Sequence, residues 1–417
     1  GVEAEVIEYL ASKPIVAKLA LISKLKDDVC KHRLVLGCRV SGVNERTVRT
    51  ERIALPRIWD AIRDGLDLMM QRVRGSQLEY MVLDFSDAFF LLPLAHTEQR
   101  YFCAHYRGEF FVWRRVAQGS LNGPNSFGRL SAAVGRMTAG MLDETEARLN
   151  IYTDDPILAM YAPEARRKTI MSTVILLWLL LGFGLAYHKG QRGTAVTWVG
   201  YDIVATHTQI TASIKEEFMR EFGTLTRDIG AKNVMSKKML QSFAGKANHI
   251  ANLLRAWRPF LDSLWAALYC GRPYWAPKGM IWTSQVRHTL SWLLCFLSLQ
   301  HGPLSKTWEL ASYEGDAQDV TFYLDASPYS LAGILVIDNW PVEYFTSPLS
   351  SHDAAIHRKR LGDSSGQQVW ESLTVLVALT VWFPFWSNRR CFTIKSDNTS
   401  ALTLAGSLKS NKSQGLI

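Results

Sequence analysis

The chain has 417 residues, enough for two or three domains with substantial buried cores. It is 48% hydrophobic and 20% charged with no low-complexity tract, which excludes a disordered or fibrous protein. Lys+Arg 47 against Asp+Glu 38 leaves a net charge of +9, suited to a polyanionic partner.

Six cysteines without a Cys-x-x-Cys pair point away from a zinc site or a disulfide framework, and towards a reduced, intracellular setting. Gly1 stands where an initiator Met would, and no signal peptide opens the sequence, so a piece of a longer protein is expected. From residue 15 to 40, Lys18, Lys24, Lys26, Lys31, Arg33 and Arg39 are set among apolar residues. Leu34-Val35-Leu36 has strand character and Ser41-Gly42 turn character. These cations form either a solvated face or a basic strand pair that grips phosphates by charge-assisted hydrogen bonds. Ile58, Ile62 and Leu66, spaced by four, predict an amphipathic helix.

Tyr80 to Leu83 is an apolar strand ending at Asp84. A charge at the end of a buried run is expensive unless it is paired or binds metal, so Asp84 is a candidate ligand. Asp87 either caps the next segment or contacts substrate. Gln118-Gly119 lies in a polar bend before a helix expected from about Asn125, where exposed backbone can approach a base pair or a phosphate.

Ile151-Tyr-Thr-Asp-Asp-Pro156 predicts a strand–turn–strand tip. On its own it is an ordinary Asp-Asp-Pro turn. Beside Asp84, its adjacent carboxylates at 154 and 155 call for a divalent cation between them. Two metals about 4 Å apart, bridged by such aspartates, clamp the attacking and leaving oxygens of a phosphoryl displacement. Ile170 to Tyr187 is almost wholly apolar, but Gly182 and Gly184 interrupt it. A helix packed under a sheet, and no membrane partner, is the expectation.

Thr211 to Tyr274 carries a helical pattern, and Pro273 to Pro303, rich in Trp and Gly, is expected to connect two domains. After Asp316 the period turns strand-like: Asp325 closes one strand, Glu371 sits in an apolar helix, and Asp397 ends a strand before another helix.

The order of these pieces is specific. The strand Asp84 with Asp87, Gln118-Gly119 before a helix, Tyr152-Thr-Asp-Asp155, Gly182-Phe-Gly-Leu-Ala-Tyr-His-Lys189 and Trp198-Val-Gly-Tyr201 together resemble the reverse transcriptase palm of retrotransposons. The likeness runs from about residue 20 to 265. Asp325, Glu371 and Asp397 are similar in order to a ribonuclease H metal site.

The resemblance implies an α+β right-hand polymerase: fingers and palm over 1–210, a helical thumb over 211–275, a connection over 276–318, and a ribonuclease H-like α/β domain over 319–417, incomplete at its end. It implies Asp84, Asp154 and Asp155 as metal ligands, with two Mg²⁺ or Mn²⁺ ions per active site. Phe89 matches the ring that excludes a 2′-hydroxyl, and otherwise is core. Gln118 resembles the residue beside the nucleotide's sugar and the template. Lys189 corresponds to the lysine proposed to protonate pyrophosphate, and otherwise is an exposed loop residue. Lys26 and Arg33 match the cations that hold the triphosphate. Lys237, Lys238, Lys246, Arg255 and Arg258 either meet template–primer phosphates or form a solvated face. Gly37 departs from the aspartate usual in the strand of Arg33, and Asn122-Gly123 from the usual Gly-Ser/Ala pair. The implied activity is RNA-directed DNA synthesis from deoxynucleoside triphosphates on an RNA or DNA template–primer, inside a cell or a retroelement particle. The competing classes are an inactive nucleic-acid-binding remnant and an RNA-dependent RNA polymerase, against which Phe89 and the downstream acids speak. The missing end is expected to leave Leu373, Val377 and Leu379 under-buried.

Overall fold

Apolar residues that persist on both parities of a strand need cover on both faces, and this rule explains the first half of the molecule. The computed structural model describes residues 2–26, 29–49, 51–269, 276–298, 304–314, 319–387 and 391–407. The chain forms two compact units, residues 1–199 and 200–417.

In the first unit, β1 (Lys18–Lys26) and β2 (Val29–Gly37) form an antiparallel hairpin with Lys18 opposite Gly37. Helix α1 (Ile58–Met69) buries Ile58, Ile62 and Leu66, as their spacing requires. Strand β3 (Gln77–Val82) lies centrally, and β4 (Cys103–Tyr106) and β5 (Glu109–Val112) make a second hairpin. Helix α2 (Gly123–Ala139) begins two residues before Asn125 and carries Pro124 in its first turn, where a missing N–H costs nothing. Strands β6 (Ala147–Tyr152) and β7 (Asp155–Ala162), helix α3 (Glu164–Leu180) and strands β8 (Gln191–Gly193) and β9 (Ala195–Trp198) complete the unit.

The sheet order is β6-β7-β3-β8, antiparallel throughout. Met81, Leu158 and Met160 face a core with Phe127, Val134, Ile170, Val174 and Trp178 from α2 and α3. Tyr80 faces the other way, and its hydroxyl donates to the Ala61 carbonyl of α1 at 3.4 Å. Ile170, Val174 and Trp178 recur every fourth residue, so the apolar run is a helix laid on a sheet, and no helix among the described residues is long and apolar enough to cross a membrane. Arg167, also buried, donates to the carbonyls of Ala162 (2.5 Å) and Gln77 (3.3 Å) and to the carboxylates of Glu164 (2.7 Å) and Glu79 (3.1 Å).

The second unit opens with β10 (Tyr201–Ala205) and β11 (Gln209–Ile214). The helical pattern expected from Thr211 therefore starts later, because Gln209 to Ile214 alternates burial with period two and pairs on both edges. Helices α4 (Glu216–Gly230), α5 (Lys237–Leu253) and α6 (Arg258–Tyr269) follow, with β12 (Val234–Ser236) between the first two. The span expected to be a plain connection holds β13 (Met280–Trp282) and α7 (Arg287–Leu297), and α7 packs on α4 and α6 with Phe296 stacked on Trp257 at 5.3 Å. Part of the span from Pro273 to Pro303, residues 273–275 and 299–303, lies outside the described residues.

After β14 (Ser305–Glu309), which pairs with β11, the chain builds β15 (Val320–Ala326), β16 (Ser330–Ile337) and β17 (Trp340–Pro348), then α8 (Gln367–Val381), β18 (Thr393–Lys395) and α9 (Thr399–Ser407). The order is β17-β16-β15-β18, with β15 and β18 parallel. Val375, Ala378 and Trp382 bring α8 onto Phe322 and Leu335. Leu373, Val377 and Leu379 are half-buried and packed against these clusters, contrary to expectation; Leu376, Val381 and Phe383 are the exposed apolar residues here.

Candidate active sites

Three backbone stitches bring the upstream carboxylates together. The β6–β7 hairpin pairs Tyr152 with Asp155 and turns through Thr153 and Asp154. Thr153 is held at φ 58, a conformation that β-branched residues rarely adopt and that concentrates at functional sites. The Phe85 amide donates to the Asp154 carbonyl (3.0 Å), the Leu83 amide to that of Pro156 (3.3 Å), and the Ala186 amide to that of Asp84 (2.9 Å). Asp84, two residues past the end of β3, is thereby fixed between the hairpin tip and the segment leading to Lys189. Trp198, fully buried, donates its indole N–H to the Asp155 carbonyl at 2.9 Å.

The charges here do not balance. Lys189 Nζ binds Asp84 Oδ2 directly. Burial pushes the Asp155 carboxyl up to about 6, reinforced by the negative charges of Asp154 and Asp84 and opposed by Lys189. Burial also raises Asp154; a backbone hydrogen bond opposes this, Asp84 adds to it, and Lys189 and Arg33 oppose it. Half-buried oxygen donors short of positive charge are the donor set that suits a hard divalent cation. The three carboxylates do not converge on one point as the downstream set does: among the described residues, only Asp325, Glu371 and Asp397 offer ligand atoms all within 4.8 Å of one another.

Phe89 lies in a short 3₁₀ turn, half-buried, its ring 6.0 Å from that of Phe127. The Phe89 ring lies against the start of α2, where a Cβ on Gly123 would stand 3.5 Å from it in ordinary contact. Asp87 occupies the position before that turn at φ 52 without making a capping bond, so the capping role expected of it is not realised. Gln118 accepts from the Leu36 amide at 2.9 Å through its backbone. The loop can approach β2 because residue 119 is glycine: a Cβ there would stand 2.1 Å from the Leu36 carbonyl oxygen. Arg33 is exposed on β2, while the side chain of Lys26 lies outside the described residues. Gly37 faces Lys18, whose carbonyl oxygen would be 2.9 Å from a Cβ, so the missing aspartate has a local steric reason.

The downstream acids come from three elements. Asp325 lies near the end of β15, Asp397 just beyond β18, and Glu371 in the first half of α8. Glu371 is 3% exposed and accepts from Gln367 Nε2 at 2.9 Å and from Ser396 Oγ at 3.5 Å. Burial raises its pKa; the Gln367 bond opposes this, and Asp325 and Asp397 add to it. Gln367 was not singled out from sequence, although its place four residues before Glu371 on a helix was a usable signal. Of the basic residues on the helices, Lys237, Lys238 and Arg255 are exposed, whereas Arg258 donates to the Ala251 carbonyl at 3.4 Å.

No protein-family model matches the chain. It is 36% identical over 133 residues to the Pol polyprotein of Feline endogenous virus ECE1, a stretch covering 29% of this chain and 12% of that polyprotein. Its whole length superposes on a foamy viral protease-reverse transcriptase in complex with double-stranded DNA, with a TM-score of 0.52, 17% identity and 78% of that chain covered. The chain is similar to retroviral Pol over that stretch and has the reverse transcriptase fold. It is also similar to the Gag-Pol polyprotein of Avian reticuloendotheliosis virus, 33% identical over 134 residues, 30% of this chain and 11% of that one. The same reverse transcriptase fold recurs in the foamy viral enzyme in complex with an RNA/DNA hybrid, with a TM-score of 0.50, 18% identity, and 94% and 46% of the two chains covered. The matched stretch spans about a tenth of the polyproteins' length.

Proposed function

We propose that the protein is an RNA-directed DNA polymerase, in which residues 1–210 act as fingers and palm, 211–275 as thumb, 276–318 as connection and 319–417 as a ribonuclease H-like domain. The observation that carries this reading is the gathering of Asp84, Asp154 and Asp155 at the tip of β3 and the β6–β7 hairpin, with too little positive charge to balance them. Two divalent ions, Mg²⁺ or Mn²⁺, would supply Lewis-acid activation of the primer 3′-hydroxyl and neutralise charge on the departing pyrophosphate.

The chain's own groups divide the remaining work. Asp84, Asp154 and Asp155 would hold the ions. Lys189, already in the site on Asp84, is placed to deliver a proton to pyrophosphate. Arg33, with Lys26, offers charge to the triphosphate. Phe89 would close the space that a 2′-hydroxyl needs, and Gln118, on the loop docked against β2, would lie beside the nucleotide. The +9 charge and the basic helices suit a template–primer duplex, the class of molecule held by the foamy viral relatives. Asp325, Glu371 and Asp397 form a second ion-binding site, suited to hydrolysis of the RNA strand of a hybrid. An intracellular setting goes with these partners.

Primer extension on an RNA template with Mg²⁺ tests the reading, with deoxy- and ribonucleotides compared. Asp84→Asn and Asp154→Asn should abolish extension and leave template–primer affinity within about twofold, because affinity comes mainly from phosphate contacts. Near wild-type extension by either variant would remove the palm assignment. A wild-type chain that binds duplex but never extends it is the nucleic-acid-binding remnant.

A further inference from the structure

Beside the downstream acids lies an open groove of about 480 Å³, lined by Tyr323, Leu324, Asp325, Ile334, Lys395 and Asp397 among others. Tyr323 and Lys395 are register partners on the parallel strands β15 and β18. Asp325 stands two residues further along β15, on the same face because side chains alternate with period two, and Asp397 lies two residues beyond the end of β18; all four line the groove. The ammonium of Lys395 sits 4.8 Å from the centre of the Tyr323 ring and donates to its hydroxyl at 2.9 Å. Among the described residues no carboxylate lies within ion-pair distance of it, although Asp319 acts on it electrostatically and Asp325 and Asp397 line the same groove.

A cation beside three acids, held by an aromatic ring and a phenol, leaves its charge available to an anion arriving from solvent. A step of two residues along a strand is about 6.7 Å, which is of the order of the distance between successive phosphates in a nucleic acid strand. We propose that Lys395, steadied by Tyr323, binds the backbone phosphate adjacent to the one presented to Asp325, Glu371 and Asp397, and so sets the register of the hybrid in that site. The proposal rests on reading the three acids as a hybrid-cleaving site. In that arrangement Lys395 is a positioning residue. It touches the strand one phosphate away from the reacting atoms, and its contribution is to KM.

The test uses the full chain and RNA–DNA hybrids in which single RNA phosphates are neutralised one at a time as methylphosphonates. For the wild type, neutralising one neighbour of the cleaved phosphate should raise KM several-fold with kcat little changed. Lys395→Ala should show that higher KM on the unmodified hybrid and no further response to neutralisation at that position, while Lys395→Arg should keep the wild-type pattern. An equal response of wild type and Lys395→Ala at every position would overturn the proposal. If the wild type shows no Asp397-dependent cleavage, the cleavage reading fails, and hybrid binding in EDTA then decides the lysine's role. There, a drop of about one in the slope of log affinity against log salt for Lys395→Ala supports the contact, and an unchanged slope overturns it.

Discussion

Replacing Asp155 by Asn should make the metal-free protein more stable while removing its polymerase activity. The carboxyl titrates at about 6 instead of near 3.8, because it is half-buried and faces Asp154 and Asp84. A group whose folded pKa lies above its unfolded value holds its proton more tightly in the fold. The penalty for ionising it is therefore absent below about 3.8 and complete above about 6. Fully developed, that separation corresponds to about 3 kcal/mol, and solvent around a half-buried group screens it to about 1–2 kcal/mol. Asn keeps the size and the backbone carbonyl that Trp198 uses, and it carries no charge to repel. Thermal melting in EDTA at pH 8 should show the variant above wild type by about 2–4 °C for each kcal/mol in a unit of this size. At pH 4 the difference should shrink to about a fifth. Adding Mg²⁺ at pH 8 should raise the wild-type midpoint and leave the variant's nearly unchanged. A variant no more stable than wild type at pH 8, or one with the same gain at pH 4, would refute the electrostatic argument.

Phe89→Val should raise ribonucleotide incorporation relative to deoxynucleotide in single-nucleotide extension, since removing a repulsive wall relaxes selection; an unchanged ratio in an active variant places the ring in the core with Phe127. Arg167→Met should lower the first melting transition by the equivalent of about 3 kcal/mol, because the buried carbonyls of Gln77 and Ala162 lose their donor and Glu79 keeps only Arg192. A midpoint within a degree of wild type would count against that network. Gly119→Ala forces a Cβ against the Leu36 carbonyl at a backbone φ of 110, so it should displace Gln118 and raise the KM for nucleotide more than it lowers the melting point. Steady-state extension at varied nucleotide concentration decides it.

Local chemistry made much of the first site legible. Tyr152-Thr-Asp-Asp155 forms the expected hairpin tip, although the turn falls on Thr153 and Asp154 while Asp155 and Pro156 belong to β7, and Asp84 could be singled out because a charge ends an apolar strand. Glu371 was visible for the same reason, as one acid on an apolar helix. Errors arose where a period was too short to judge or where burial depended on distant chain. Thr211 to Ile214 was merged into a helical stretch although it belongs to an alternating strand, and Leu373 and Val377 were expected to be under-buried although they pack against the cluster of Trp370 and Leu331. Asp87 has the right residue type and place for a cap, but its own φ of 52 accompanies an unmade bond.

The sequence by itself determined which carboxylates are costly where they stand, since that cost depends on each residue's immediate apolar neighbours. Tertiary structure alone decided which groups meet them: Lys189 on Asp84, the Trp198 indole on the Asp155 carbonyl, Gln118-Gly119 against β2, and Lys395 on Tyr323 beside Asp325. Those contacts join segments far apart in the chain through strand pairing and close backbone approach. Their energies depend on distances of a few ångströms that no local pattern of residue types specifies.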